Sequence, residues 1–154
     1  MQYNILADCF TDNGHLKENK KWLAAERRFP KIATELTDSL ADIVCLCEVD
    51  QKIDFIPKLL TELGYEFYWA KRRDDDMVVV AFLKDKFEYI KHEEIQHNDV
   101  AELFPKPAEG RTNDYKRGNC ALKLSLLHKA SRRQIQVIGT HLFWDSKREF
   151  VKIA

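Results

Sequence analysis

The chain has 154 residues, enough for one domain or part of one. Hydrophobic residues make up 45% and charged residues 32%, and 25 Lys plus Arg balance 25 Asp plus Glu. That neutrality excludes a global pull toward nucleic acid, so a polyanion has to be met by a local patch; no run is long and apolar enough for a membrane-spanning helix, and no signal peptide is visible.

Gln2 to Asp8 reads as a first strand, with Asn4, Ala7 and Asp8 toward its rim. A strand so close to the start leaves no room for a targeting segment and predicts that the chain begins inside a larger product. Thr11 to Asn19 is polar and carries an Asp-Asn-Gly turn signal. From Lys20 to Leu40 apolar residues recur at threes and fours, which predicts a helix, and Pro30 inside it predicts a kink or two shorter pieces. Arg27 and Arg28 are expected on its solvated side, with one of them in reach of a phosphate.

Asp42 to Asp50, Asp-Ile-Val-Cys-Leu-Cys-Glu-Val-Asp, is the stretch around which the rest is arranged. It starts as an apolar run suited to a strand buried on both faces, and it ends in carboxylates. A carboxylate at the rim of a sheet suits a hard cation that takes oxygen ligands, or else simply opens a loop or caps a helix. Ile53 to Leu63 has helical spacing and Gly64 is placed to stop it. Tyr65 to Ala70 reads as a strand, Lys71 to Asp76 as a solvated hairpin tip of cancelling charge, and Met77 to Leu83 as a second buried strand. Phe87 to Ile95 continues the sheet in this reading. His97 to Arg117, with Pro105, Pro107 and Gly110, reads as a long surface loop. Asn119 to Leu127 and Gln134 to Leu142 form an antiparallel pair about the basic turn Lys129 to Arg133. Asp145 to Ala154 reads as a helix just beginning.

The order predicts an α/β protein: a mixed β-sheet with helices packed on one face and the other face needing cover. The four cysteines, Cys9, Cys45, Cys47 and Cys120, include no CxxC pair. They read as reduced, mostly buried thiols of a cytosolic or nuclear protein rather than zinc ligands.

Four polar residues stand at or beside apolar strands: Asn4, Glu48, Asn119 and His141. Each type has a use in phosphoryl transfer. A glutamate holds a metal ion, an asparagine binds a phosphate oxygen or bound water without adding charge, and a histidine gives a hydrogen bond or positive charge to phosphate. Each also has a structural use, as a turn asparagine or a satisfied core histidine.

With their surroundings, Tyr3-Asn4-Ile5-Leu6-Ala7-Asp8, Asp42 to Asp50, Asn119 in its strand and Thr140-His141-Leu142-Phe143-Trp144-Asp145, these residues make the chain resemble the endonuclease/exonuclease/phosphatase superfamily. Within it the resemblance is to the carbon-catabolite-repression deadenylases and their nocturnin and angel relatives. The resemblance implies the first half of a four-layer α/β sandwich, with residues 1–154 as the N-terminal part of one domain. It implies Glu48 as the magnesium ligand, with manganese as a substitute. Asn4 is implied near metal and scissile phosphate, Asn119 in the cleft, and His141 on the phosphate. Trp144 is implied either at a nucleotide-stacking rim or in the core. The implied substrate is single-stranded RNA, a poly(A) tail above all, and the implied setting is cytoplasmic or nuclear, with protein partners of a deadenylase complex and no membrane. Cys47 stands where the family usually has glutamine, the usual Gly-Cys pair is replaced within Val78 to Val80, and Ser146 replaces a proline. The family's Asp-x-Asn motif and terminal Asp-His pair do not follow. The resemblance therefore leaves two readings: an incomplete phosphodiesterase, or a non-catalytic paralogue that binds nucleotide or protein.

Overall fold

A computed structural model describes residues 1–11, 20–72, 76–103 and 116–142. The elements are β1 (Gln2–Asn4), one 3-10 turn (Asp8–Phe10), α1 (Lys20–Leu23), α2 (Ala25–Asp38), β2 (Ile43–Asp50) and α3 (Phe55–Glu62). They continue with β3 (Tyr65–Lys71), β4 (Asp76–Leu83), β5 (Phe87–Gln96), α4 (His97–Ala101), β6 (Cys120–His128) and β7 (Arg133–Thr140).

The strands form two sheets rather than one. The first has the order β1-β2-β4-β3 and is mixed, because β1 runs parallel to β2 while the other pairs are antiparallel. The second, β5-β6-β7, is wholly antiparallel. Phe87 to Gln96 thus leaves the first sheet and starts the second, which supplies the cover that the first sheet needs.

The apolar run of β4 follows from this layering. Val79 and Ala81 pack with Ile32, Leu36, Ile56 and Leu60 of α2 and α3. Val78, Val80 and Phe82 point the other way, into Leu122, Leu124 and Leu126 of β6. Successive residues of a strand face opposite sides, so a strand between two layers must be apolar throughout. Each side chain this deeply buried contributes roughly 1.5–3 kcal/mol. Gly139 of β7 marks the closest approach of the sheets: a Cβ there would lie 2.7 Å from Val80 Cγ2.

Other expectations shift in detail. The helix break falls at Ala24, and α2 runs through Pro30. Gly64, at φ +84°, ends the turn after α3 in a conformation that glycine adopts without strain. The stretch expected to be loop from His97 starts with α4. The Lys71 to Asp76 turn is not simply solvated. Asp76 is fully buried, and Arg72, with its side chain only 9% exposed, donates from Nε to Asp76 Oδ2 at 2.8 Å. The thiols of Cys47 and Cys120 are buried, whereas Cys9 is exposed.

Candidate phosphoryl-transfer site at the sheet junction

Glu48 owes its position to a β-bulge. On β2, Leu46 pairs with Val79 and Val49 with Met77, so three steps on one strand face two on the other. The burial parity records the extra residue: Val44, Leu46 and Val49 all face the helices. Glu48 absorbs the bulge at φ +56°, a left-handed conformation uncommon for a side-chain-bearing residue. A bulge re-aims one side chain, and here that side chain is the carboxylate.

Around it the described residues close a chain of contacts. Asn4 Nδ2 donates to Glu48 Oε1 at 3.0 Å. His141 Nε2 lies 3.6 Å from the same oxygen, and the two side chains are 21% and 13% exposed. Asn119 Nδ2 donates to the backbone carbonyl of His141 at 2.8 Å. Asn4 and Glu48 come from the first sheet, and Asn119 and His141 directly precede β6 and follow β7 of the second, so the four meet where the ends of both sheets abut. Trp144 lies outside the described residues.

The asparagines serve structure and site together. Asn4 Oδ1 accepts from Leu6 N at 2.9 Å, an Asx turn that bends the chain as its amide group reaches Glu48. Asn119 is buried and uses its amide nitrogen to fix the segment that carries His141. Its Oδ1 is buried too and accepts no hydrogen bond among the described residues. Thr140 Oγ1 donates to Cys120 O at 2.9 Å, and Cys47 Sγ reaches Thr140 O at 3.5 Å. The thiol beside Glu48 thus ties the two sheets together where the resemblance leads one to expect a glutamine. Burial, with the nearby Cys45 thiol second, pushes the Cys47 thiol up to about 11, so it remains a neutral donor.

Arg28 is the support that the helical pattern hides. It is not on the solvated side. Its Nε donates to Leu23 O at 2.6 Å, its Nη1 to Ile5 O and Leu6 O at 2.9 and 2.5 Å, and its Nη2 pairs with Asp8. One guanidinium therefore clamps the turn after Asn4 to the start of α2. Asp8, expected at the rim, is held in this clamp. The faint signal in the sequence is a buried-type position, next to Phe29, occupied by the one cation whose fork reaches several acceptors.

Among the described residues no three His, Cys, Asp or Glu side chains gather into a metal cluster. The donor set is one carboxylate flanked by amides and an imidazole. Such oxygen-poor protein shells fit Mg²⁺ or Mn²⁺, which keep several waters and take one or two carboxylates with substrate phosphate. They do not fit a closed zinc site.

The fold is similar to that of endonuclease/exonuclease/phosphatase proteins. Within that class it is similar along its whole length to the Ccr4 and angel proteins and to nocturnin. It is 27% identical to the CCR4-Not complex 3'-5'-exoribonuclease subunit Ccr4 of Candida albicans, over 99% of this chain and 22% of that protein. It is 31% identical to protein angel homolog 2 of Danio rerio, over 100% of this chain and 27% of that one. Among solved structures, ANGEL2, described as a 2',3'-cyclic phosphatase, superposes with a TM-score of 0.79 at 28% identity, covering 99% of this chain and 42% of its own. The human nocturnin catalytic domain superposes at 0.71 with 25% identity, covering 96% and 51%. The chain thus spans about a quarter of the curated relatives it matches and about half of the solved structures. No family model matches it.

Proposed function

We propose that this chain carries the Glu48 side of a divalent-metal-dependent phosphodiesterase site of deadenylase type, which removes 3' nucleotides from single-stranded, poly(A)-like RNA. The observation that carries the reading is the contact of Glu48 Oε1 with Asn4 Nδ2 and His141 Nε2 across the junction of the two sheets. Residues 1–154 are read as part of one such domain. The similarity to Ccr4, named an exoribonuclease, supports RNA as substrate. Partners in a deadenylase complex and a cytoplasmic setting are part of the same proposal.

In this reading Glu48 holds Mg²⁺, or Mn²⁺ in its place. The bound ion supplies Lewis-acid stabilisation of the charge that develops on the phosphoryl oxygens. Asn4 fixes the rotamer of Glu48 so that the carboxylate is aimed before substrate arrives. His141 donates from Nε2 to a phosphate oxygen, favouring the charged transition state. Asn119 positions the His141 backbone rather than touching the reacting atoms. Trp144 is assigned to the nucleotide-binding rim. No general base is among these residues, so activation of the attacking water falls to groups outside this set.

The test is magnesium-dependent trimming of oligo(A) by the intact protein. Glu48→Gln keeps the shape and one acceptor oxygen for Asn4 but loses the charge, and is expected to lower the rate by about 100-fold or more. An unchanged rate would remove the metal role. The second reading is a nucleotide- or protein-binding module without turnover. That reading predicts no turnover by the parent protein, together with retained oligonucleotide binding.

A further inference from the structure

One edge of the first sheet is open beside an apolar cavity. In the order β1-β2-β4-β3, strand β3 pairs with β4 alone. Gly64 O accepts from Lys84 N at 3.2 Å and Arg72 N donates to Asp76 O at 3.1 Å, which extends that ladder at both ends. Bonded and non-bonded pairs alternate along an antiparallel ladder, so Glu66, Tyr68 and Ala70 share the bonds with β4. Tyr65, Phe67, Trp69 and Lys71 turn their peptide groups to the open edge. Among the described residues only Lys71 O has a partner there, Gln96 Nε2 at 3.3 Å. The side chains of these same residues face the helices. A cavity of about 380 Å³ lies on that side, lined by Pro57 and Leu60 of α3, by Phe67, Trp69 and Lys71, and by Met77 of β4. The Phe67 and Trp69 rings stand 6.2 Å apart, and Trp69 is 48% exposed. Lys71 is exposed and forms no ion pair among the described residues. The bulges and prolines that blunt many natural edges are missing: β3 keeps one register with β4 from Tyr65 to Lys71 and holds no proline.

From this geometry we propose that β3 and the cavity beside it dock an extended peptide segment of a partner protein, added antiparallel as a further strand of the first sheet. Main-chain hydrogen bonds to Phe67 and Trp69 hold the peptide, and its alternate side chains enter the cavity. Antiparallel pairing is the slightly more stable choice per residue. It sets the start of the peptide opposite Lys71, at the end of β3, where a carboxylate complements the free ammonium. The residues that follow at every second position lie over Trp69, Phe67 and the cavity, and are apolar. The recognised pattern is therefore an acidic residue, then apolar residues at alternate positions. Aromatic side chains and methionine, which line the cavity, are enriched at the centres of protein interfaces. A single cation beside an apolar trough does not suit the many phosphates of a nucleic acid. Strand β4 separates this edge from β2, which carries Glu48, and docking here does not depend on turnover there.

The experiment is fluorescence anisotropy of a labelled, end-capped heptapeptide, Glu-Thr-Val-Thr-Leu-Thr-Val, with the intact protein. Saturable binding is expected, weakened about tenfold or more by Trp69→Ala. Lys71→Glu is expected to reverse the charge preference, favouring the peptide that begins with lysine by about twofold to fivefold. Methyl groups on the backbone nitrogens of the valines and leucine, which face β3, are expected to abolish binding. Methyl groups on the threonine nitrogens, which face away, are expected to leave it. The methylated peptides are compared on the parent protein, so a variant that fails to fold does not decide the result. No saturable binding by the parent protein would overturn the proposal. Equal affinity for the two methylated peptides would overturn it as well, because apolar contact without strand addition predicts that outcome. Concentration-dependent dimerisation in sedimentation, removed by Trp69→Ala, would assign the edge to a second copy of this chain and overturn it too.

Discussion

At the scale of single residues, one kind of side chain does different work according to its surroundings. Asn4 and Asn119 are both amides beside strands, yet Asn4 touches the Glu48 carboxylate and Asn119 holds a backbone carbonyl. Arg27 and Arg28 are neighbours, yet one lies over an exposed indole and the other is buried as a clamp. The cysteines divide in the same way. Burial, with the Asp76 charge second, pushes the Cys120 thiol up to about 11, like Cys47, whereas Cys9 is exposed. At pH 8 a thiol with that value is ionised in about one molecule in a thousand, and the thiolate is the reacting form. Iodoacetamide at pH 8 is therefore expected to label Cys9 well before Cys47 and Cys120 in the folded protein, read by peptide mass spectrometry. The sign for stability follows. Because folding raises these values above the ordinary 9.0, stability is full below pH 9 and declines as the pH rises from 9 toward 11. Equal labelling of all three thiols at pH 8, with the fold intact, would refute the burial argument.

At the scale of elements, the close approach of β7 to β4 decides what each position tolerates. Gly139 faces Val80 and Val78 across the sheets, at distances of 2.7 and 3.3 Å for an added Cβ. Both valines are buried and β-branched, with little rotamer freedom to give way. Gly139→Ala is expected to cost about 1–3 kcal/mol, read as a lower urea midpoint with unchanged slope. The conformation at Gly139 is not at issue, so a neutral substitution would show that the sheets can separate without loss. The β3–β4 hairpin has a comparable constraint. Asp76 carries a buried charge that Arg72 offsets, while Phe10 lies 5.5 Å below the same guanidinium. The hairpin base is therefore anchored to the turn after β1 as well as to its own strands.

At the scale of the whole molecule, the candidate site is a property of the sandwich rather than of either sheet. Asn4 and Glu48 belong to one sheet, Asn119 and His141 flank strands of the other, and the apolar layer between the sheets, with the Cys47 thiol on Thr140 O, holds them in register. Leu124 lies in that layer, fully buried. Leu124→Ala is expected to destabilise by about 2–5 kcal/mol through lost burial and the cavity left behind. If the protein trims oligonucleotides as proposed, the trimming of the variant and its circular-dichroism signal are expected to fall together as urea is added. Loss of the signal at a lower urea concentration than loss of trimming would mean that the site does not need the packed sandwich. Among the described residues no helix is long and apolar enough to cross a membrane.

By itself the sequence determined most of the elements, because apolar period and turn chemistry are local. The run from Met77 to Leu83 had to be a strand buried on both sides, and Gly64 had to end a helix. It also picked out Asn4, Glu48, Asn119 and His141, since polar residues at the ends of apolar strands stand out against their neighbours. Several things only the tertiary structure decided. Phe87 to Gln96 opens a second sheet instead of extending the first, because strand pairing is a choice among distant partners that alternation does not encode. Arg28 is a clamp and Asp76 a buried anion, because the partners of a charge are set by what the fold brings close. The aim of Glu48 depends on one extra residue in β2 relative to β4, a register relation between two strands that neither strand carries alone.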